Sequence, residues 1–147
     1  MASDLISFSN PVFAQYAFYS GVVLCKTMDM SLLTVYYRLK NKVFINPEDN
    51  PGGKVTPNDP DVERIRRCHL NDLENVVPFV LIGGLYVLTG PSAHAAALHF
   101  RIFAAARIFH TISYLFALPQ PCRALSFVVG YMATASMAVN VIRSGVM

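Results

Sequence analysis

Glu63-Arg64-Ile65-Arg66-Arg67-Cys68-His69-Leu70-Asn71-Asp72-Leu73-Glu74-Asn75 runs without a break into the apolar segment Val76 to Leu88. Three arginines, a histidine and three acidic residues therefore stand at the entrance of a hydrophobic helix. A charge near the centre of a bilayer costs about 2.5–3.5 kcal/mol on insertion scales, so these groups must face protein or water rather than lipid. The stretch is the first place to look for a polar ligand. On an ideal helix Arg64, Arg67, Asn71 and Glu74 follow i, i+3, i+7, i+10 and share one face. Two guanidiniums, an amide and a carboxylate suit a ligand that carries both carboxylates and an ammonium.

The whole chain fits that setting. Its 147 residues are 54% hydrophobic and only 14% charged, against roughly 25% charged in soluble domains. This composition reads as an all-α membrane protein with a single domain over residues 1–147. No internal repeat or low-complexity tract is present. Met1 to Asn10 carries Asp4 and no basic residue, so it does not read as a cleaved signal peptide. A net charge of +3 gives little reason to expect nucleic acid as a partner. Cys25, Cys68 and Cys122 lie singly in different segments, and His69, His94, His99 and His110 form no i, i+4 pair. Neither a disulfide framework nor a metal site is expected.

A helix needs about 20 mainly apolar residues to cross the hydrocarbon core. Four segments are expected, over about residues 11–40, 61–89, 93–118 and 121–143. The first contains Lys26 and Asp29, three apart on one face, which can pair with each other or with another helix. The second has only 13 apolar residues, Val76 to Leu88, before Thr89-Gly90-Pro91. It spans only if the polar stretch from Asp61 belongs to the same helix and is shielded by its neighbours. Gly83-Gly84 inside it suits close helix packing. Leu118-Pro119-Gln120-Pro121 separates the last two segments, and Pro121 suits a first helical position.

Between the first two segments, Lys42 to Pro60 is polar and rich in Pro, Gly, Asn and Asp, and reads as ordered turns or a flexible flap, not a buried element. Seven of the twelve Lys and Arg residues fall from Arg38 to Arg67. The positive-inside rule then places this loop in the cytosol, and four spans put both termini on the far side. A second polar stripe lies in the third segment, where Arg107, His110 and Tyr114 follow i, i+3, i+7. Arg123 opens the fourth segment and Arg38 ends the first; each suits either a ligand contact or an interfacial anchor. There is no Ser-His-Asp order, phosphate-cradling loop or dinucleotide fingerprint. Chemistry would have to come from the ligand, with the protein supplying charge.

Several ordered motifs resemble the MAPEG family, the membrane-associated proteins of eicosanoid and glutathione metabolism. They are Phe44-Ile45-Asn46-Pro47-Glu48-Asp49, the run from Glu63 to Pro78, Ala106 to Leu115, and Leu118 to Phe127. The resemblance spans about Pro11 to Arg143. It implies a four-transmembrane-helix bundle assembled as a homotrimer, with glutathione bound between neighbouring subunits near the cytosolic side. Carried over residue by residue, it implies a glutathione-binding set of Arg38, Arg66, Arg67, His69, Asn71, Glu74, Arg107, His110, Tyr114 and Arg123. Arg66 and His69 fall off the Arg64–Glu74 stripe, so under this reading Arg64 serves structure.

Two departures bear on function. The glutathione transferase branch carries a cysteine directly after Asn-Pro-Glu-Asp, associated with activation by thiol reagents; here the residue is Asn50. The prostaglandin E synthase branch has an arginine where this chain has Leu70, and a serine where it has Ala124. The resemblance thus implies a membrane glutathione transferase acting on hydrophobic electrophiles, with glutathione-dependent peroxidase activity on lipid hydroperoxides. Its partners would be glutathione, membrane lipid and two further copies of itself. Its home would be the endoplasmic reticulum membrane and the mitochondrial outer membrane. Arg123 and Tyr114 would be catalytic. The alternatives are a glutathione-dependent eicosanoid isomerase or synthase and a non-catalytic lipid-binding member of the same family.

Overall fold

The computed structural model describes residues 5–50 and 58–146. The first four residues, the part of the first loop from 51 to 57 with Lys54, and Met147 lie outside the described residues. Four long helices follow in order: α1 (Pro11–Asn41), α2 (Pro60–Leu88), α3 (Ala93–Leu115) and α4 (Cys122–Val146), with a 3-10 turn at Pro47–Asp49 between α1 and α2. No strand occurs among the described residues.

The helix ends follow from local chemistry. Asn10 precedes Pro11 and accepts the Val12 and Phe13 N–H groups on its side chain, relieving two of the donors that every helix start leaves open. Asp59 does the same for Asp61 and Val62 ahead of Pro60. α1 ends where Lys42 takes a left-handed conformation with φ of 53°. α3 closes at Leu115, three residues short of the expected 118. There Ala117 adopts φ of 51° and Leu118 N–H returns to the Ser113 carbonyl at 3.0 Å, a reversal that stops the helix before Pro119. Pro121 lies one residue before α4, where its carbonyl accepts the Leu125 N–H; it caps the helix instead of opening it.

α2 and α3 are the inner pair. Each packs on the other and on both α1 and α4. Their close approach to α1 uses the two glycines of α2, because a Cβ on Gly83 or Gly84 would stand 3.0 or 3.2 Å from the Tyr16 side chain. Tyr16 also donates its hydroxyl to the Val80 carbonyl at 2.8 Å. The main apolar layer joins Val23 of α1, Val76, Phe79 and Val87 of α2, Phe100 and Phe103 of α3, and Met137 of α4. Phe79 and Phe103 stack with ring centroids 3.8 Å apart. A smaller apolar layer of Met30, Ile65 and Cys68 lies towards the first loop. A charged layer separates the two.

The exterior carries many large apolar side chains. Met28, Leu32, Leu81, Leu125 and Ile142 are each more than half exposed, a surface that water does not favour in a monomeric soluble protein. α2 and α4 are long and apolar enough to cross a membrane. α1 and α3 are diluted by Lys26, Asp29, Arg101 and Arg107.

Candidate functional site

Towards the first loop, α1 and α2 leave a cleft of about 440 Å³ lined by Thr34, Arg38, Glu63, Arg66, Arg67 and His69 among others. Arg38 reaches it from the last turn of α1; Arg66, Arg67 and His69 come from the polar first half of α2. Arg66 is paired with Glu63 at 2.5 Å on the helix surface, where such a pair contributes little. Arg38 buries an Nε–H that has no partner among the described residues. Three guanidiniums facing one carboxylate leave the cleft with a surplus of positive charge, and the planar forks of arginine are suited to carboxylates.

The other expected residues lie elsewhere. Asn71, Arg107 and His110 sit in the charged layer inside the bundle. Arg107 is fully enclosed, with none of its surface exposed. Its Nη2 donates to Asp72 Oδ1 at 2.6 Å and to Asn71 Oδ1 at 2.9 Å, and lies 3.4 Å from His110 Nδ1. The stripe then continues to Tyr114, 5.6 Å from His110 between ring centroids, and ends at Arg123, whose guanidinium lies 5.0 Å over the Tyr114 ring. Arg123 also buries an Nε–H without a partner among the described residues. Glu74 is exposed and lines a groove between α2 and α4 with Tyr131 and Thr134.

One chain therefore does not gather the ten residues into a single cavity. Arg38, Arg66, Arg67 and His69 form an open basic cleft. Asn71, Arg107, His110, Tyr114 and Arg123 form a mostly interior row. Glu74 faces a third direction. Arg64 is half-buried and absent from the cleft lining, although the helical wheel groups it with Arg67. No group of residues fit to hold a metal occurs among the described residues.

One residue was not singled out from the sequence: Asp72. It is buried, and its Oδ1 accepts from both Lys26 at 2.5 Å and Arg107 at 2.6 Å. Lys26 thus pairs across helices, not with Asp29, which is exposed on its own helix. The signal was available in principle: an acidic residue at membrane depth needs a cation. What helical spacing could not reveal is that its cations lie on two other helices.

The MAPEG family pattern matches residues 16–143. Microsomal glutathione S-transferase 1 of Homo sapiens is 53% identical over 142 residues, covering 92% of each chain. The protein of that name from Rattus norvegicus is 51% identical over the same length and coverage. Prostaglandin E synthase of Homo sapiens is 33% identical over 145 residues, covering 97% of this chain and 95% of its own. With a family match across most of its length and relatives above half identity over nearly all of it, the chain belongs to the MAPEG family.

Proposed function

We propose that this chain is a membrane glutathione transferase that conjugates glutathione to hydrophobic electrophiles and also reduces lipid hydroperoxides. The observation that carries the reading is the basic cleft of Arg38, Arg66, Arg67 and His69, in a chain 53% identical to a microsomal glutathione S-transferase. Glutathione has two carboxylates, one ammonium and a thiol. Arg38, Arg66 and Arg67 supply forks for the carboxylates, and Glu74 supplies the counter-charge for the ammonium. The orphaned Nε–H groups of Arg38 and Arg123 are donors that a bound anion would satisfy.

The thiol of a cysteine residue has a free pKa of about 8.5, so little of it is thiolate at neutral pH. Arg123 favours the anion electrostatically, and its place at the start of α4 adds the positive end of the helix dipole. Tyr114, beneath that guanidinium, donates a hydrogen bond from its hydroxyl to sulfur or ligand. The thiolate attacks the electrophilic carbon, forms the C–S bond and expels the leaving group with its electron pair. In the peroxidase reaction two glutathione thiols reduce one hydroperoxide to an alcohol and water, and leave as the disulfide.

The division of the expected residues among three faces supports assembly as a homotrimer, with one subunit's cleft completed by another's interior row. The apolar exterior supports four membrane spans; the reading puts them in the endoplasmic reticulum and mitochondrial outer membranes, with the first loop cytosolic by its excess of Lys and Arg. Leu70 and Ala124 count against the prostaglandin E synthase reading. Leu70, which lines the cleft, puts an apolar side chain where that branch has an arginine. Purified protein in mild detergent should conjugate glutathione to 1-chloro-2,4-dinitrobenzene and bind glutathione in calorimetry. Binding of lipid with neither property would favour the non-catalytic reading.

A further inference from the structure

Among the described residues Asp72 is the one carboxylate paired with the half-buried Lys26 and the buried Arg107, and it meets both through the same oxygen. Its Oδ2 has no partner, and neither do Nε and Nη1 of Arg107. Lys26 makes a second bond to the Thr111 hydroxyl at 2.6 Å. The layer therefore encloses two cations against one anion. A core built for stability alone would gain little from this arrangement, since apolar residues of equal volume commonly do as well as a buried ion pair. The surplus positive charge instead suits a site that receives an anion.

We propose that Asp72 is a positioning residue of the glutathione site. The proposal rests on the glutathione reading given above. Asp72 holds Arg107 by Nη2, and that one nitrogen sets its neighbours. Asn71 Oδ1 accepts from it at 2.9 Å, so the amide NH₂ of Asn71 is turned away as a donor. His110 Nδ1 lies beside it at 3.4 Å, and a neighbour that only donates disfavours a proton on Nδ1, which favours the tautomer with the proton on Nε2. One carboxylate thus sets two donors, Asn71 Nδ2–H and His110 Nε2–H, and leaves Nε and Nη1 of Arg107 open. All of these are donors to an anion. With Asp72 neutralised, the guanidinium is free to turn, and the amide orientation and the imidazole tautomer are no longer fixed.

The decisive variant is the double substitution Lys26→Met with Asp72→Asn. It keeps the same single surplus charge in the layer and removes only the anchor. The full-length protein in detergent would be assayed for KM and kcat with glutathione and 1-chloro-2,4-dinitrobenzene, for glutathione affinity by calorimetry, and for thermal stability. The double variant should raise KM and Kd for glutathione about tenfold or more, because a buried charge pair has lost its partner. KM for the electrophile should stay near wild type. Lys26→Met alone removes the surplus charge but leaves Asp72 and Arg107 paired, and should raise glutathione KM clearly less than the double variant does. Val87→Ala, in the apolar layer, is the stability control and should lower the melting temperature with glutathione KM unchanged. A double variant with wild-type glutathione KM overturns the proposal, and so does a Val87→Ala protein whose KM rises as much as that of the double variant. If the double variant does not fold, Asp72→Asn and Asp72→Glu decide: the proposal requires Glu to recover most of the affinity that Asn loses. A wild-type protein that neither binds nor turns over glutathione would defeat the parent reading itself, a result distinct from all of these.

Discussion

The guanidinium of Arg123 lies over the ring of Tyr114 with 5.0 Å between its central carbon and the ring centroid, joining the start of α4 to the end of the polar stripe on α3. A cation over an aromatic face is held there with a preferred orientation. That contact links a charge suited to a thiolate with a hydroxyl able to donate to one.

Arg123→Leu should therefore act on thiol ionisation more than on affinity. Glutathione's carboxylates keep their arginines, so its KM should change little. Without the cation the bound thiol should ionise about one pH unit higher, so activity at neutral pH falls about tenfold and recovers as pH rises. Arg123→Lys keeps the charge without the planar fork, and partial recovery at neutral pH would separate electrostatics from geometry. An unchanged pH–rate profile for Arg123→Leu would leave the residue as an interfacial anchor only.

Arg67→Leu should show the reverse balance. Losing one fork to a carboxylate should raise glutathione KM about tenfold and leave the shape of the pH profile as it was. Steady-state kinetics across glutathione concentrations would read both effects. A fall in kcat at unchanged KM would remove Arg67 from the binding set.

Shared sites predict complementation. Cross-linking in mild detergent should give trimers, and Arg38→Leu and Arg123→Leu chains should each be poorly active alone. Co-expressed, they should recover part of the activity, because some mixed assemblies contain one site with both arginines. A fully active monomer, or mixtures no more active than their parents, would contradict a site built between subunits.

Asn50 occupies the position where the transferase branch has its activating cysteine, so N-ethylmaleimide should not raise the rate manyfold. Of the three cysteines Cys25 is exposed, Cys122 partly so and Cys68 buried. Any modest effect should vanish in Cys25→Ser and Cys122→Ser variants. Strong activation that survives both substitutions would refute this expectation.

At the start of α2 the Val62 N–H, with further help from Asn41 and the Asp61 N–H, holds the Asp59 carboxyl below its ordinary pKa. Because the folded value lies below the unfolded one, the stabilisation is fully present above the unfolded pKa of about 3.9 and is lost as pH falls through the folded value. Asp59→Ala should lower the melting temperature at neutral pH and flatten the acid limb of the stability curve. Asp59→Asn, which retains a capping oxygen, should flatten the limb with a smaller loss at neutral pH.

Much of this protein was legible in its residues because hydropathy, caps and turns are local. Four apolar segments, separated by the polar first loop, Thr89-Gly90-Pro91 and Leu118-Pro119-Gln120-Pro121, determined four helices, and their ends moved by no more than one residue except where Ala117 and Leu118 reverse the chain and where α4 runs on to Val146. Gly83 and Gly84 foretold a close approach that Tyr16 then fills. The Arg107, His110 and Tyr114 stripe also held, since one helical face is a local property. Tertiary structure alone decided the partners. Helical spacing gave Lys26 a neighbour in Asp29, but packing gave it Asp72; it likewise grouped Arg64 with Arg67, although only Arg67 lines the cleft. The division of the ten expected residues among a cleft, an interior row and an outer groove has the same origin. Which charges meet across a membrane depends on how helices rotate against one another, and one helix's periodicity does not contain that angle.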